Sequence, residues 1–179
     1  MKKALVVVDM QNDFITGVLG NEACRAVVPR VVERVQEAVN DRTDLIFSQD
    51  THQENYLSTQ EGRKLPVFHC IQDTDGWKII PELAETAEKK GILFRKETFG
   101  SRDIAEYIRA HGYEEVELIG VCTDICVISN AMTIKAFAPE AEISVNAACC
   151  AGVTPQSHQT AIEAMRACQI NITGTEGDR

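Results

Sequence analysis

Short uninterrupted apolar runs alternate along the chain with segments whose apolar positions recur at helical spacing. Ala4–Val8 is such a run, the pattern of a strand covered on both faces. Between Ala23 and Val39 the residues Val27, Val28, Val31, Val32, Val35, Ala38 and Val39 form one helical stripe. Leu45–Ser48 reads as the next strand and ends at Gln49-Asp50. Residues 51–77 carry little periodicity and predict a long loop, which in a compact domain goes with function. Pro81 opens a helix to about Lys89, ended by Gly91, and Ile92–Arg95 is a strand. Ser101 suits the N-cap of a helix to His111, with Gly112 after it. Val116–Val121 predicts a strand, Asp124–Phe137 a mostly apolar helix and Glu142–Val145 a strand. Thr154 caps a helix over Pro155–Cys168, Ile170–Thr173 is a last short strand, and residues 176–179 read as a frayed tail.

Strand and helix in repeated alternation predict an α/β fold of three αβα layers. Its central sheet is mostly parallel, with helices on both faces, in one domain over residues 1–179. Such folds bind ligands at the carboxyl ends of their strands. That rule singles out Asp9, Gln49-Asp50, Lys96, Cys122–Cys126 and Asn146.

Composition narrows the function. With 44% hydrophobic and 25% charged residues among 179, the chain is ordinary globular protein. Lys plus Arg number 18 against 27 Asp plus Glu, a net charge of −9, which disfavours nucleic acid and anionic membranes as partners. No apolar run approaches the ~20 residues of a membrane span. The run after Lys3 stops at Asp9, too soon for a secretion signal, so a cytoplasmic protein is expected. Seven cysteines, an odd number in a chain this long, read as reduced thiols, with Cys24, Cys149, Cys150 and Cys168 in the core or near the surface. His111 and His158 read as ordinary helix residues.

Three strand ends supply an acid, a cation and a thiol: Asp9, Lys96 and Cys126. A cysteine in the first turn of a helix sees the positive end of the dipole, and a nearby lysine further favours thiolate. A carboxylate can take the thiol proton and return it to a leaving amine. Taken singly, each has a plain structural reading as a turn cap, a solvated lysine or a core cysteine; their shared rim of the sheet favours chemistry. A second set lies in the long loop. Asp50 and His52 stand two apart and project the same way from extended backbone, and Glu61 and His69 follow at the far end. Two imidazoles with one or two carboxylates suit Zn²⁺, Mn²⁺ or Fe²⁺. The structural alternative is a turn and a surface histidine.

The segments ALVVVDMQNDF at 4–14, Lys96 after ILFR, and GVCTDICVISNAMTIKAF at 120–137 resemble the isochorismatase-like cysteine hydrolases over nearly the whole chain. The resemblance implies a catalytic triad in which Cys126 is the nucleophile, Asp9 the proton shuttle and Lys96 the electrostatic partner. It also implies an oxyanion hole from the backbone N–H groups of Cys122 and Cys126, and a cis Val121–Cys122 peptide. The loop SQDTHQENY…EGRKLPVFHC is similar to that of the nicotinamidase branch, where an Asp, two His and in some members a Glu bind one divalent metal. Asp50, His52, His69 and Glu61 match, and zinc is the expected ion. Phe14, Gln11 and Val121 would line the substrate pocket. The branch places a Trp three residues before the last His, where this chain has Pro66; Trp77 or Phe99 could replace it. The usual D-W-H-P-x-x-H reads D-T-H-Q-E-N-Y.

The expected activity is conversion of nicotinamide to nicotinic acid and ammonia through a thioester on Cys126, in a homo-oligomer without nucleic-acid or membrane partners. Other readings are another amidase of the superfamily acting on a carbamoyl or ureido compound, an isochorismatase, a thiol redox protein using Cys122 and Cys126, and a metal-dependent binding module.

Overall fold

The computed structural model describes residues 1–175; the predicted tail at 176–179 lies outside them. Six strands, β1 (Lys3–Val8), β2 (Asp44–Asp50), β3 (Gly91–Lys96), β4 (Glu115–Val121), β5 (Glu142–Ala151) and β6 (Asn171–Thr173), form one sheet in the order β3-β2-β1-β4-β5-β6. Every pairing is parallel. The helices are α1 (Asn12–Ile15), α2 (Glu22–Asn40), α3 (Gln60–Lys64), α4 (Pro81–Lys90), α5 (Arg102–His111), α6 (Ile128–Phe137) and α7 (Pro155–Ala167).

The strands are apolar on both sides because both are covered. Leu5 and Val7 of β1 pack with Val27, Val31 and Val35 of α2 and Leu83 of α4. Ala4, Val6 and Val8 pack with Ile104 and Ile108 of α5, Ala131 and Ile134 of α6 and Met165 of α7. The chain runs from β1 outward to β3, then returns beside β1 as β4 and proceeds to the other edge. The carboxyl ends of β1 and β4 therefore flank the switch point where such sheets bind ligands. Gly120 in β4 has φ of +116°, and a Cβ there would strike the Val8 carbonyl oxygen, so only glycine lets the two strands close at this point.

The sequence pattern falls short in three places. The pattern ends β5 at Val145, whereas the strand continues to Ala151. Its second half, Asn-Ala-Ala-Cys-Cys, lacks β-branched residues and is extended because Cys150 and Ala151 pair with Gly120 and Val121 after a register shift. The loop after β2 contains a 3₁₀ turn, Tyr56–Ser58, and α3, both too short to show periodicity. The helix expected from Asp124 begins instead as a π-type turn, Thr123–Val127. No helix among the described residues is long and apolar enough to cross a membrane.

Candidate active site

The strand ends converge. Lys96, the last residue of β3, places Nζ 2.7 Å from Asp9 Oδ2, 3.3 Å from Asp50 Oδ1 and 3.6 Å from Cys126 Sγ, and donates to the Thr98 carbonyl at 3.0 Å. Asp9, Lys96 and Cys126 are all buried. The sheet order makes this meeting: β2 brings Asp50 between β1 and β3, and Asp50 pairs in register with Lys96. Asp9 sits at φ of +47°, a left-handed conformation uncommon for a residue with a side chain. Ser48 of β2 holds it there. Its Oγ accepts from the Asp9 N–H at 3.2 Å and donates to Oδ1 at 2.6 Å, which leaves Oδ2 for Lys96.

Burial and neighbouring charge set the protonation states. Burial disfavours charge on Lys96, but Asp9, Cys126 and Asp50 outweigh it and hold the ammonium well above the usual lysine range. For Asp50, burial is likewise outweighed, by Lys96 and then the two imidazoles, so its carboxyl lies well below the usual range. Asp9 is raised by complete burial, which Lys96 only partly offsets. Cys126 is pushed well above an ordinary thiol, first by burial, with Asp9 and Asp50 adding to it against Lys96. The sequence reading favours thiolate at this position, whereas here desolvation and two carboxylates outweigh the Lys96 ammonium. Asp9 is the carboxylate that Lys96 shares with the sulfur, and so the nearby acceptor for the thiol proton.

Cys122 and Cys126 lie at the two ends of the turn after β4, and the Val121–Cys122 peptide is cis as expected. Within the turn Ile125 and Val127 N–H donate to the Cys122 carbonyl at 3.1 and 3.0 Å. Cys24 of α2 and burial push the Cys122 thiol well above its ordinary value. All seven cysteines are free, and only Cys168 is exposed.

Beyond Lys96 the loop residues gather around the second carboxylate oxygen of Asp50. His52 Nε2 lies 3.0 Å and His69 Nε2 3.6 Å from Asp50 Oδ2, and Glu61 Oε1 is 3.5 and 3.8 Å from the same two nitrogens. Asp50, His52 and His69 form a group able to hold a metal ion. The donor set fits a divalent cation. His69 Nδ1–H donates to the Val67 carbonyl at 2.8 Å, which turns Nε2 toward the carboxylate oxygens. Lone pairs facing lone pairs are favourable only around a cation or a proton. Tyr56 closes this cluster: its ring lies against both imidazoles, and its hydroxyl donates to the Leu65 carbonyl at 3.0 Å. Burial, then Glu61 and Asp50, push that phenol to about 12.

The three pocket residues expected from sequence divide. Phe14 packs edge-on against His69, with centroids 5.8 Å apart, and belongs to the core as well. Gln11 is a strut: its amide nitrogen donates to the Asp50 and Trp77 carbonyls and its oxygen accepts from Asp50 N–H. Val121 is fully buried in the core beneath the turn. None of the three borders the open cavity of about 630 Å³: Phe14 and Val121 lie in the core, and Gln11 is spent on joining strands. That cavity is lined by His52, Glu61, Leu65, Thr98, Phe99 and Ile125, among others, so Phe99 is its aromatic wall. Trp77 lies in the core, donating to Thr51 Oγ1 at 2.8 Å.

A family model described as the isochorismatase domain matches residues 3–177. The chain belongs to the isochorismatase family. It is 25% identical over 174 residues to a nicotinamidase of Saccharomyces cerevisiae, covering 73% of this chain and 80% of that protein. The crystal structure of a nicotinamidase from Bacillus subtilis superposes with a TM-score of 0.84 at 24% identity, covering 97% of this chain and 99% of the other. A pyrazinamidase of Pyrococcus horikoshii in complex with zinc superposes with a TM-score of 0.81 at 24% identity, over 98% and 100%.

Two site residues escaped the sequence reading. Ser48 was legible only as a strand residue, although its alternation puts it on the face of Ile46 and Asp50. Asn130 is a fully buried amide in the apolar helix α6; it donates to the Cys126 and Phe99 carbonyls and accepts from Ser101 N–H. A lone amide on an apolar stripe was the available signal.

Proposed function

We propose that the protein is a single-domain, metal-dependent cysteine amidohydrolase that converts nicotinamide to nicotinic acid and ammonia. The observation that carries the reading is Lys96 Nζ between Asp9 and Cys126, with Asp50 shared between that lysine and the two imidazoles. The nicotinamidase names among the relatives support the substrate.

Asp9 takes the Cys126 proton as the sulfur attacks the amide carbon. Lys96 faces the Asp9 carboxylate before the transfer and stabilises the negative charge that passes to the sulfur, in a dry site where such interactions are strongest. The oxygen of the tetrahedral adduct is placed on the N–H groups of Cys122 and Cys126. Asp9 returns its proton to the amide nitrogen, the carbon–nitrogen bond breaks, and ammonia leaves behind a thioester. Asp9 then takes a proton from water as it attacks the thioester, and that proton returns to the sulfur as nicotinic acid departs. Asp50, His52, His69 and Glu61 would hold the metal, zinc by the donor set, which when bound supplies a Lewis-acid anchor for the ring nitrogen. A cytoplasmic enzyme of nicotinamide salvage is the cellular reading, and seven free thiols fit a reducing compartment.

The test is ammonia and nicotinic acid release from nicotinamide by purified protein with zinc, manganese or iron. Turnover that chelator removes and C126A abolishes is expected. Absence of nicotinamide turnover with every metal, or retained turnover in C126A, refutes the proposal.

A further inference from the structure

We infer that His158, on α7 and outside the triad, is a positioning residue that holds the Thr123–Val127 turn, and with it the Cys126 sulfur, in its reactive place. The inference rests on the reading of Cys126 as nucleophile. His158 Nδ1 lies 2.8 Å from Thr123 Oγ1, and Thr123 is fully buried. A buried hydroxyl needs a partner, and here the partner comes from an element 35 residues away. The residues between β5 and α7 grip the turn a second time, with Val153 N–H donating to Asp124 Oδ1 at 3.1 Å. From the opposite side Asn130 holds the Cys126 carbonyl.

The histidine is itself rigidly mounted. Thr154 and Ser157 form a reciprocal cap on α7, and His158 N–H donates to the Thr154 carbonyl at 3.0 Å. Gly152 lets the helix seat this close: a Cβ there would lie 2.9 to 3.0 Å from His158 Cβ, Cα and N. Burial lowers the imidazole below its ordinary value against the pull of Asp124, so the ring is neutral at pH 7 and can bond the hydroxyl without carrying charge into the site. A nucleophile displaced by about 1 Å loses on the order of 100-fold in rate, so a brace on its turn acts on turnover more than on binding.

The experiment compares H158A, H158N, T123V, T123S and the H158A/T123V double variant in metal-loaded full-length protein. The readouts are kcat and KM for nicotinamide and, independently, the rate at which iodoacetamide alkylates Cys126, followed by peptide mass spectrometry. Expected are falls in kcat of about 10–100-fold for H158A and T123V, with KM within about threefold. The double variant should be no worse than the poorer single one. H158N, whose amide reaches the Nδ1 position, and T123S, which keeps the hydroxyl, should recover most of the rate, and Cys126 alkylation should shift in parallel. Full activity in H158A, additive losses, an effect confined to KM, or no rescue by H158N overturns the inference. Should H158A fail to fold, T123V against T123S decides the same point. Should wild-type protein leave nicotinamide untouched, the substrate proposal fails and the alkylation rates alone decide the brace.

Discussion

Lys96 is the single cation between two buried carboxylates, and replacing it with methionine keeps the stem while deleting the charge. Its Nζ is 2.7 Å from Asp9 Oδ2 and 3.3 Å from Asp50 Oδ1. At an effective dielectric near 20 these separations correspond to gross attractions of about 6 and 5 kcal/mol. Desolvating three charges cancels most of that, so the measured cost is that of stranding carboxylates in the interior, about 3–5 kcal/mol. That is a large share of the stability of an ordinary domain. The pH dependence has a definite sign. In the parent, Asp50 is held below its ordinary value of 3.8 and contributes stability above it, lost as pH falls through the lower folded value. In K96M the Lys96 share of that contribution, the largest, disappears and the two imidazoles supply what remains. Asp9, already raised by burial, rises further without its counter-ion, and a carboxyl raised in the folded state loses stability as pH climbs through its folded value. The deficit of K96M should therefore be largest near neutrality and shrink toward pH 4. Urea unfolding of metal-free K96M, D9N/K96M and parent, near pH 7 and again near pH 4.5, measures it. D9N/K96M should lie between the other two, since one stranded charge is gone. A deficit below about 1 kcal/mol near neutrality, or one that grows on acidification, would refute the electrostatic reasoning.

Other predictions concern the frame, the metal loop and the thiols. G120A should cost about 3 kcal/mol or more by urea titration, since the new Cβ meets the Val8 carbonyl oxygen at a left-handed φ. H69A should abolish stoichiometric zinc uptake while E61Q weakens it only about tenfold or more, read by competition with a chromophoric chelator. Thiol titration of native protein should modify Cys168 first, because the other six cysteines are buried; rapid loss of a buried thiol ahead of it would contradict the structure. R34M should lower stability by about 1–2 kcal/mol, since Arg34 of α2 makes a paired contact with Glu117 of β4, at 2.6 Å from Nη2 and 3.1 Å from Nε.

The strand and helix pattern was readable wherever burial imposed a period. Ala4–Val8 reads as a two-sided strand because both faces are covered, and the Val27, Val31, Val35 stripe of α2 is the one buried. The second half of β5 was not readable, since Ala147 to Ala151 are extended by their neighbour β4 and not by their own preference. His158 read as an ordinary helix residue because nothing local announces that its ring meets Thr123. The resemblance puts Gln11 and Val121 in the pocket, whereas hydrogen bonding and strand packing make them part of the frame.

Local order was legible from the residues alone: the alternation of strands and helices, the parallel sheet it entails, and the residue types waiting at each strand end. Hydrophobic periodicity and chain order suffice for these, because each depends on neighbours a few residues away. Packing is what sets Lys96 between Asp9 and Asp50, turns one Asp50 oxygen to the lysine and the other to the imidazoles, and buries Cys126 so that its thiol is pushed up. Those outcomes follow from strand order and burial, which are properties of the packed whole: the charge a group carries is set by what surrounds it, and no stretch of chain specifies its own surroundings.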